Sequence, residues 1–390
     1  MKLSLMQKID KILGPPICTV LTIYDKVLLL LKIKSQKNNF QLDNCRILVL
    51  KFWGMGSIIL AMSVIKKVKE RLPNCKIYFL TLLRNKELLE GYKHIIDGCV
   101  FLDIDKSFLK FIYDLIKILI TIRKLKLSLL IDLEFFTRFS AIISYLSGVK
   151  NKAGFAAWEV WRGFLHTTTV PFNRYWHVKK NFTNLISKAL KKDIDFDSKL
   201  YPPYFEFESE NIKKFDFHKY ISINPNAGEL ALERRWPYEN FINLTKKILD
   251  NWDGYVVFLG TKMEKRYVEK IVLSLDSKRV KNLAGELSFK DLVLVLKNSI
   301  LLITNDSGPL HLAVALDVPT ISFFGPETPV LYGPLEKKHV VFFKDLDCSP
   351  CINVHTGKIV RCIKPLPECM TKISPEEVWK TIKEKIYATT

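Results

Sequence analysis

Two blocks of the chain share one rhythm, in which short apolar runs alternate with longer amphipathic segments. In the first, RILVLKF from Arg46 reads as a strand, SIILAMSVIKKVKERLP as a helix, KIYFLTL as a second strand, and SLLIDLEFF as another strand with the helical RFSAIISYLSG behind it. That order predicts a parallel, doubly wound sheet with crossover helices. Residues 150–205 break the rhythm with aromatics, prolines and the basic stretch RYWHVKKNF, and read as the end of that domain plus a connector. The second block starts at YISINPNAG and alternates again through ENFINLTKKIL, GYVVFLG, EKRYVEKIVLSL, RVKNLAG, SFKDLVLVLKN, SILLITNDSG, PLHLAVAL and PTISFFG. The predicted fold class is α/β, with two Rossmann-like domains facing a central cleft. Periodicity by itself fits several two-domain α/β architectures equally.

The 390 residues then divide into a helical leader over 1–43, an N-terminal Rossmann-like domain with connector over 44–205, a C-terminal Rossmann-like domain over 206–345, and a cysteine-containing loop with a terminal helix over 346–390. In the leader seven lysines face three aspartates, and the segment CTVLTIYDKVLLLLKI is interrupted by Asp25, Lys26 and Lys32. Such a segment is too broken for a comfortable membrane span; it suits equally a helix lying in the membrane interface and one packed on the folded body. Phe40 to Asn44 reads as a linker.

Hydrophobic residues make up 48% of the chain, which excludes global disorder. Lys and Arg number 60 against 40 Asp and Glu, a formal net charge of +20. A surplus of that size calls for nucleic acid, an acidic membrane surface or phosphorylated small molecules, although a general Lys-rich bias accounts for it equally well. No zinc-finger spacing, RNP-like aromatic motif or helix-turn-helix signal is present, so no specific nucleic-acid partner is expected. The apolar run Ile17 to Ile33 follows Pro15 and Pro16 and lacks a small-residue cleavage site. A reducing compartment without disulfides is therefore expected.

Ligands of open α/β sheets gather where loops leave the carboxyl ends of strands. Four junctions qualify: FWGMGS, NPNAGELALERRWP with Asn226, FLGTKME with Gly260, and ITNDSGPLH. In the last, Pro309 opens a helix at no cost in backbone donors, and N–H groups near Ser307 and Gly308 suit a diphosphate. His311, one turn on, adds a hydrogen bond and Asp306 holds a sugar hydroxyl, or else these residues merely cap and pack the helix. Arg234 and Arg235 can bind diphosphate oxygens bidentately, or form a solvated basic turn. The turn containing Gly54 and Gly56 permits close backbone approach but lacks a full GxGxxG, so a dinucleotide site there is weakly signalled.

RILVLKFWGMGSIILAMSVIKKVKERLP, NPNAG with RRWP, and TNDSGPLHLAVALDVPTISFFGPETPVLYGP together resemble the lipopolysaccharide heptosyltransferase family, glycosyltransferase family 9, in order from Arg46 to about Trp379. The resemblance implies a GT-B fold and an inverting transfer from a nucleotide-activated sugar, typically ADP-heptose, to a lipopolysaccharide or other cell-envelope glycan. It implies no catalytic cofactor, and with the basic leader it implies a peripheral place at the inner face of the cytoplasmic membrane. By position, Asp306, Ser307, Gly308 and His311 would contact the donor, and Arg234 falls where the family has a phosphate-binding cation, with Arg235 beside it. One departure matters: the family's general-base Asp is replaced here by Ser57, which cannot take a proton at neutral pH without a base of its own. Either Glu134, or less favourably Asp132, in LLIDLEFF does that work, or the chain is a catalytically degenerate sugar-nucleotide or glycan binder.

Cys348, Cys351, Cys362 and Cys369 place four thiols within 22 residues, the first two with CxxC spacing. Such a set can close a structural zinc or iron site. Relatives with similar cysteines include both metal-binding and metal-free proteins, so free thiols are the other reading. The remaining cysteines, in apolar contexts, read as core.

Overall fold

The computed structural model describes residues 3–31, 42–156, 159–208, 217–228, 231–352 and 361–387. They form two compact units, one built mainly from residues 1–197 and the other mainly from 198–352 with the C-terminal segment. The linker expected from Phe40 begins outside the described residues.

The first unit opens with α1 (Leu3–Leu30) and continues β1 (Arg46–Leu50), α2 (Met55–Arg71), β2 (Lys76–Leu82), α3 (Lys86–Glu90), β3 (Gly98–Leu102), α4 (Phe108–Lys124), β4 (Leu129–Asp132), α5 (Arg138–Leu146), β5 (Asn151–Ala156), β6 (Thr168–Pro171) and α6 (Val178–Leu190). Six parallel strands lie in the order β3-β2-β1-β4-β5-β6. The central strands are covered on both faces, which is why RILVL and LLI are continuous apolar runs and do not alternate. Because the order reverses after β3, right-handed crossovers place α2 and α3 on one face of the sheet and α4 and α5 on the other. Leu48, Leu50, Ile118, Ile122 and Ile143 form the core under α4 and α5, with Phe139 and Met6 packed against it.

Two findings depart from the sequence reading. β5 and β6 lie in the stretch read as the end of the first domain plus a connector, where no strand was expected. NKAGFA and TTVP carry little apolar signal, and in the first Gly154 lies tight against the His166 ring, where a Cβ would stand 2.6 Å from it. Secondly, Cys45 and Cys75 form a disulfide, where none was expected. They precede β1 and β2 at matching places: Arg46 pairs with Lys76, so the cysteines one residue earlier have Cα atoms 4.7 Å apart.

The second unit runs β7 (Tyr220–Asn224), α7 (Tyr238–Asn251), β8 (Tyr255–Phe258), α8 (Lys265–Val272), β9 (Val280–Asn282), α9 (Phe289–Lys297), β10 (Leu301–Asn305), α10 (Gly308–Ala315), β11 (Thr320–Phe324), α11 (Pro329–Tyr332), β12 (Val340–Phe343), α12 (Glu368–Thr371) and α13 (Pro375–Tyr387). Its six parallel strands are ordered β12-β11-β10-β7-β8-β9. Trp236, fully buried, stacks on Phe323 with ring centroids 4.4 Å apart and donates its indole N–H to Ile373 O at 2.9 Å. The C-terminal helices are thereby part of this core, to which Met370, Val378 and Ile382 also belong. In each sheet the strand order reverses between two central neighbours, β1 and β4 or β7 and β10, and the carboxyl ends there mark the expected ligand positions.

Candidate functional site

At the carboxyl end of β10 three consecutive side chains organise the loop that follows β7. Asn305 accepts the Trp236 N–H through Oδ1 at 2.9 Å and donates through Nδ2 to Pro225 O at 2.9 Å. Asp306 receives Arg234 Nη1 on Oδ2 at 2.9 Å, and the same nitrogen donates to the Asp306 carbonyl at 3.2 Å. Arg234 Nη2 donates to Ala227 O. Both partners are largely shielded, at 13% and 6% exposure, so the expected alternative of a solvated basic turn does not hold for Arg234. Ser307 shares its hydroxyl with Asn224 Nδ2 at 3.1 Å and Thr304 at 2.9 Å. It therefore points back to the strand ends and supplies no side-chain cap to α10, leaving the N–H groups that start at Gly308 to bind something else.

Asn226 donates to Asn224 Oδ1 and Leu259 O, each at 3.0 Å, while its buried Oδ1 has no hydrogen-bond partner among the described residues. Gly260 lies tight beside it, since a Cβ there would stand 3.0 Å from Asn226 Nδ2. Arg235 diverges from its neighbour: its guanidinium lies 4.1 Å from the centroid of the Tyr267 ring. His311 is buried in α10 with its ring edge-on to Tyr332 at 6.2 Å. Asn226, Arg234, Asp306, Ser307 and the start of α10 thus converge on one polar patch, while Arg235 and His311 pack against aromatic rings.

In the first unit, Gly54 adopts φ +83 at the start of α2, a conformation open to glycine, and Gly56 and Ser57 lie buried in the first turn. Beneath them Glu134 is fully buried. Its Oε1 receives Lys51 Nζ at 2.9 Å, Phe52 N at 2.7 Å and Trp53 N at 2.9 Å, whereas Oε2 has no hydrogen-bond partner among the described residues. Lys51 and Arg162 were not singled out from the sequence; Lys51 lies inside an apolar strand run, and its ammonium is held there by Glu134 across the sheet and by the Trp53 carbonyl at 2.8 Å.

Asp132 is engaged on every side, by Arg162 Nη2 at 2.5 Å, Ser140 Oγ at 2.9 Å, His166 Nε2 at 3.3 Å and the Glu134 N–H at 3.0 Å. Burial pushes its carboxyl up, but the Arg162 guanidinium and His166 more than offset this and hold it below the usual range. Burial, opposed by Asp132 and reinforced by Arg162, holds His166 below its ordinary value and so neutral near pH 7. Asp132 orders a local network, and Glu134 keeps one buried oxygen without a hydrogen-bond partner among the described residues.

The four C-terminal cysteines line one cavity together with Glu233 and Arg361. Among the described residues, however, no three His, Cys, Asp or Glu side chains are grouped as a metal site requires. Of the two readings of Cys348, Cys351, Cys362 and Cys369, a structural zinc or iron finds no support. Burial and the neighbouring thiols push Cys369 up to about 11 and raise Cys351, so these thiols stand neutral at pH 7.

Two parallel Rossmann-like sheets, each with polar side chains at its switch point, define a GT-B type α/β protein. The profile of "Glycosyltransferase family 9 (heptosyltransferase)" matches residues 122–358, more than half of the chain, and the chain belongs to that family. It is 26% identical over 214 residues to lipopolysaccharide heptosyltransferase 2 of Escherichia coli K12, a match covering 51% of this chain and 60% of that protein. Over 358 residues it is 25% identical to lipopolysaccharide heptosyltransferase 1 of Campylobacter coli, covering 87% of this chain and 98% of the relative. The solved structure of E. coli ADP-heptose lps heptosyltransferase II superposes with a TM-score of 0.70 at 20% identity, covering 88% of this chain and 99% of the other, and shares the fold.

Proposed function

We propose that the chain is an inverting glycosyltransferase that moves heptose from an ADP-heptose type donor to a lipopolysaccharide-type or other cell-envelope glycan acceptor. The observation that carries this reading is the Arg234–Asp306 pair beside the uncapped start of α10. A guanidinium held in place by a carboxylate, next to the positive end of a helix, is what a departing diphosphate requires. Asn226, with its open Oδ1, is suited to a donor hydroxyl. The names of the relatives and the family profile support the choice of sugar and acceptor.

In the proposed step the acceptor hydroxyl loses its proton to Glu134 Oε2. Its oxygen attacks the anomeric carbon from the face opposite the nucleotide. The carbon–oxygen bond to the diphosphate breaks, and the leaving charge is taken up by Arg234 and the N–H groups opening α10. Lys51 and the Phe52 and Trp53 N–H groups hold the other carboxylate oxygen fixed throughout. The non-catalytic alternative suggested by Ser57 finds no support in the comparisons.

The work is proposed to take place on the cytoplasmic face of an anionic membrane, where the +20 net charge favours residence. A panel of ADP-, GDP-, UDP- and CDP-sugars, assayed for thermal stabilisation and for nucleoside diphosphate release in the presence of a membrane-lipid extract, tests the reading. Stabilisation and release confined to ADP-heptose are expected. Release from another nucleotide sugar would reassign the donor, and stabilisation without release under any acceptor would overturn the transferase assignment.

A further inference from the structure

α1 is amphipathic in the opposite sense to a helix in water. Its inward face is the polar one. Asp10 Oδ1 accepts the N–H groups of Arg138 at 2.9 Å and Phe139 at 2.7 Å, closing the start of α5. Cys18 is buried against Ala141 and Leu165, and Gly14 passes so close to Arg138 that a Cβ would stand 2.5 Å from its Cδ. Thr22 Oγ1 accepts Phe164 N at 3.1 Å, and Asp25 accepts the Tyr145 hydroxyl at 3.0 Å. Asp10 meets the beginning of α5 and Asp25 its end, so the two helices run the same way along each other.

The outward face is apolar. Ile12 is 68% exposed, Val20 64% and Leu30 81%, with Leu13, Ile17, Tyr24 and Val27 beside them on the same side. Met6–Leu30 is the one described helix long and apolar enough to cross a membrane by composition, and only 17% of its most apolar window is buried.

α4, on the same face of the sheet, also turns an apolar stripe outward, although its inward face is apolar as well. Leu109, Tyr113, Ile116 and Ile120 recur at helical spacing, and all are exposed. Lys110, Lys117, Arg123 and Lys124 accompany this stripe, and Lys8, Lys11 and Lys26 accompany that of α1. The acidic residues are spoken for, since Asp10 and Asp25 face inward and Asp114 pairs with Lys106 at 2.8 Å. At the margin of α1, Trp161 donates its indole N–H to Thr19 at 3.1 Å and stands edge-on to Phe164, over whose ring Lys26 lies at 5.2 Å. An apolar face edged by lysines and an amphipathic Trp is what the headgroup boundary of an anionic bilayer accepts.

We propose that the α1–α4 side of the first unit is a monotopic docking surface for an anionic lipid bilayer, on which α1 lies in the membrane plane, held along its length by α5, and does not cross it. Crossing would strip Asp10 and Asp25 from their partners, carry both into hydrocarbon and uncover the N–H groups opening α5. The inference rests on the membrane-surface part of the proposed function and adds which surface binds and in what orientation.

The test uses the full chain with vesicles of phosphatidylglycerol and phosphatidylcholine against vesicles of phosphatidylcholine alone. Binding to the anionic vesicles is expected to be about tenfold tighter or more at low salt. Val20→Glu on α1 and Ile116→Glu on α4, both surface changes checked by thermal melting, should each weaken binding by about tenfold or more. An environment-sensitive fluorescent amino acid placed at Ile12, Val20 or Val27 should report one shallow depth at all three. A midplane depth at Val20 flanked by shallow values would mean that α1 spans the bilayer, overturning the proposal. So would binding unaffected by either variant, or self-association lost in both variants without vesicle binding, which would give the face to a second copy of the chain. Nucleoside diphosphate release with a water-soluble acceptor is read in parallel. Docking lost with release intact sinks this proposal alone, and release absent with docking intact sinks only the transferase reading.

Discussion

Arg234 and Asp306, 72 residues apart in the chain, are joined by a 2.9 Å ion pair that ties the loop behind β7 to the end of β10. The carboxylate fixes the guanidinium where the N–H groups opening α10 stand uncapped, so a cation and a helix end are organised together before any ligand arrives. Removing one member of a buried pair costs about 3–5 kcal/mol because the other charge is left behind. Arg234→Met should therefore lower the melting temperature and weaken nucleotide-sugar binding about a hundredfold, whereas Arg234→Lys, which keeps the charge without the fork, should recover part of the affinity. Calorimetric titration with the donor decides the matter; wild-type affinity in Arg234→Met would remove Arg234 from the diphosphate site.

Glu134→Gln is expected to leave donor affinity within about twofold of wild type and to lower kcat by roughly a thousandfold, the scale of lost general-base catalysis. The glutamine oxygen can still accept from the Phe52 and Trp53 N–H groups, so the loop should keep its shape. Retained turnover would refute the assignment. Lys51→Met, by contrast, removes the ammonium partner of the buried Glu134 side chain and should unfold the first unit about 3–5 kcal/mol more easily.

His166 is held below its ordinary value, by burial first, so it is neutral in the fold while the unfolded chain takes up a proton as the pH falls past about 6.5. The unfolded state then binds more protons, and stability falls as the pH drops through that range. His94, lowered by burial and by Lys66, acts in the same direction. Asp132, held below its usual range, contributes stability that is lost only at lower pH, below about 4. Melting curves from pH 7.5 to pH 5 should thus fall, and His166→Gln should flatten the slope without removing the share of His94. An unchanged slope in that variant would show that the imidazole is not the titrating group.

The Cys45–Cys75 disulfide closes β1 and α2 into one loop, with a sequence separation of 30. A loop of that size is expected to contribute about 3–4 kcal/mol by restricting the unfolded chain. Non-reducing peptide mapping should recover the two cysteine peptides linked, and reduction should lower the melting temperature of wild type but not of a Cys45→Ala, Cys75→Ala double variant.

Gly163 has φ +63, and a Cβ on it would stand 2.3 Å from Thr22 Oγ1 and 2.8 Å from the Cys18 carbonyl. Gly163→Ala should therefore loosen α1 from the body at a cost of roughly 1–3 kcal/mol. Faster hydrogen exchange confined to α1 and the start of α5 is the expected signature, and unchanged protection there would show that this contact does not hold the helix.

Much of the scaffold was legible along the chain. RILVL, KIYFLTL, YISIN and LLITN are apolar because their strands are covered on both faces, and Pro309 after DSG announces a helix start through its own backbone chemistry. The resemblance carried by TNDSGPLH reached the family for the same reason, since contiguous residues keep their local geometry. β5 and β6 were not legible, because small residues there answer to His166 and to their neighbours in the sheet and follow no period of their own. Nor could spacing separate Asp132 from Glu134. Both sit near one strand end, and only the arrival of Arg162, Ser140 and His166 from elsewhere engages the first, while Lys51 and two N–H groups take one oxygen of the second and leave the other buried without a partner among the described residues. The inverted polarity of α1 was hidden likewise. Composition states how apolar a helix is; which side meets protein was decided by Asp10 and Asp25 finding α5, a contact between residues more than a hundred positions apart.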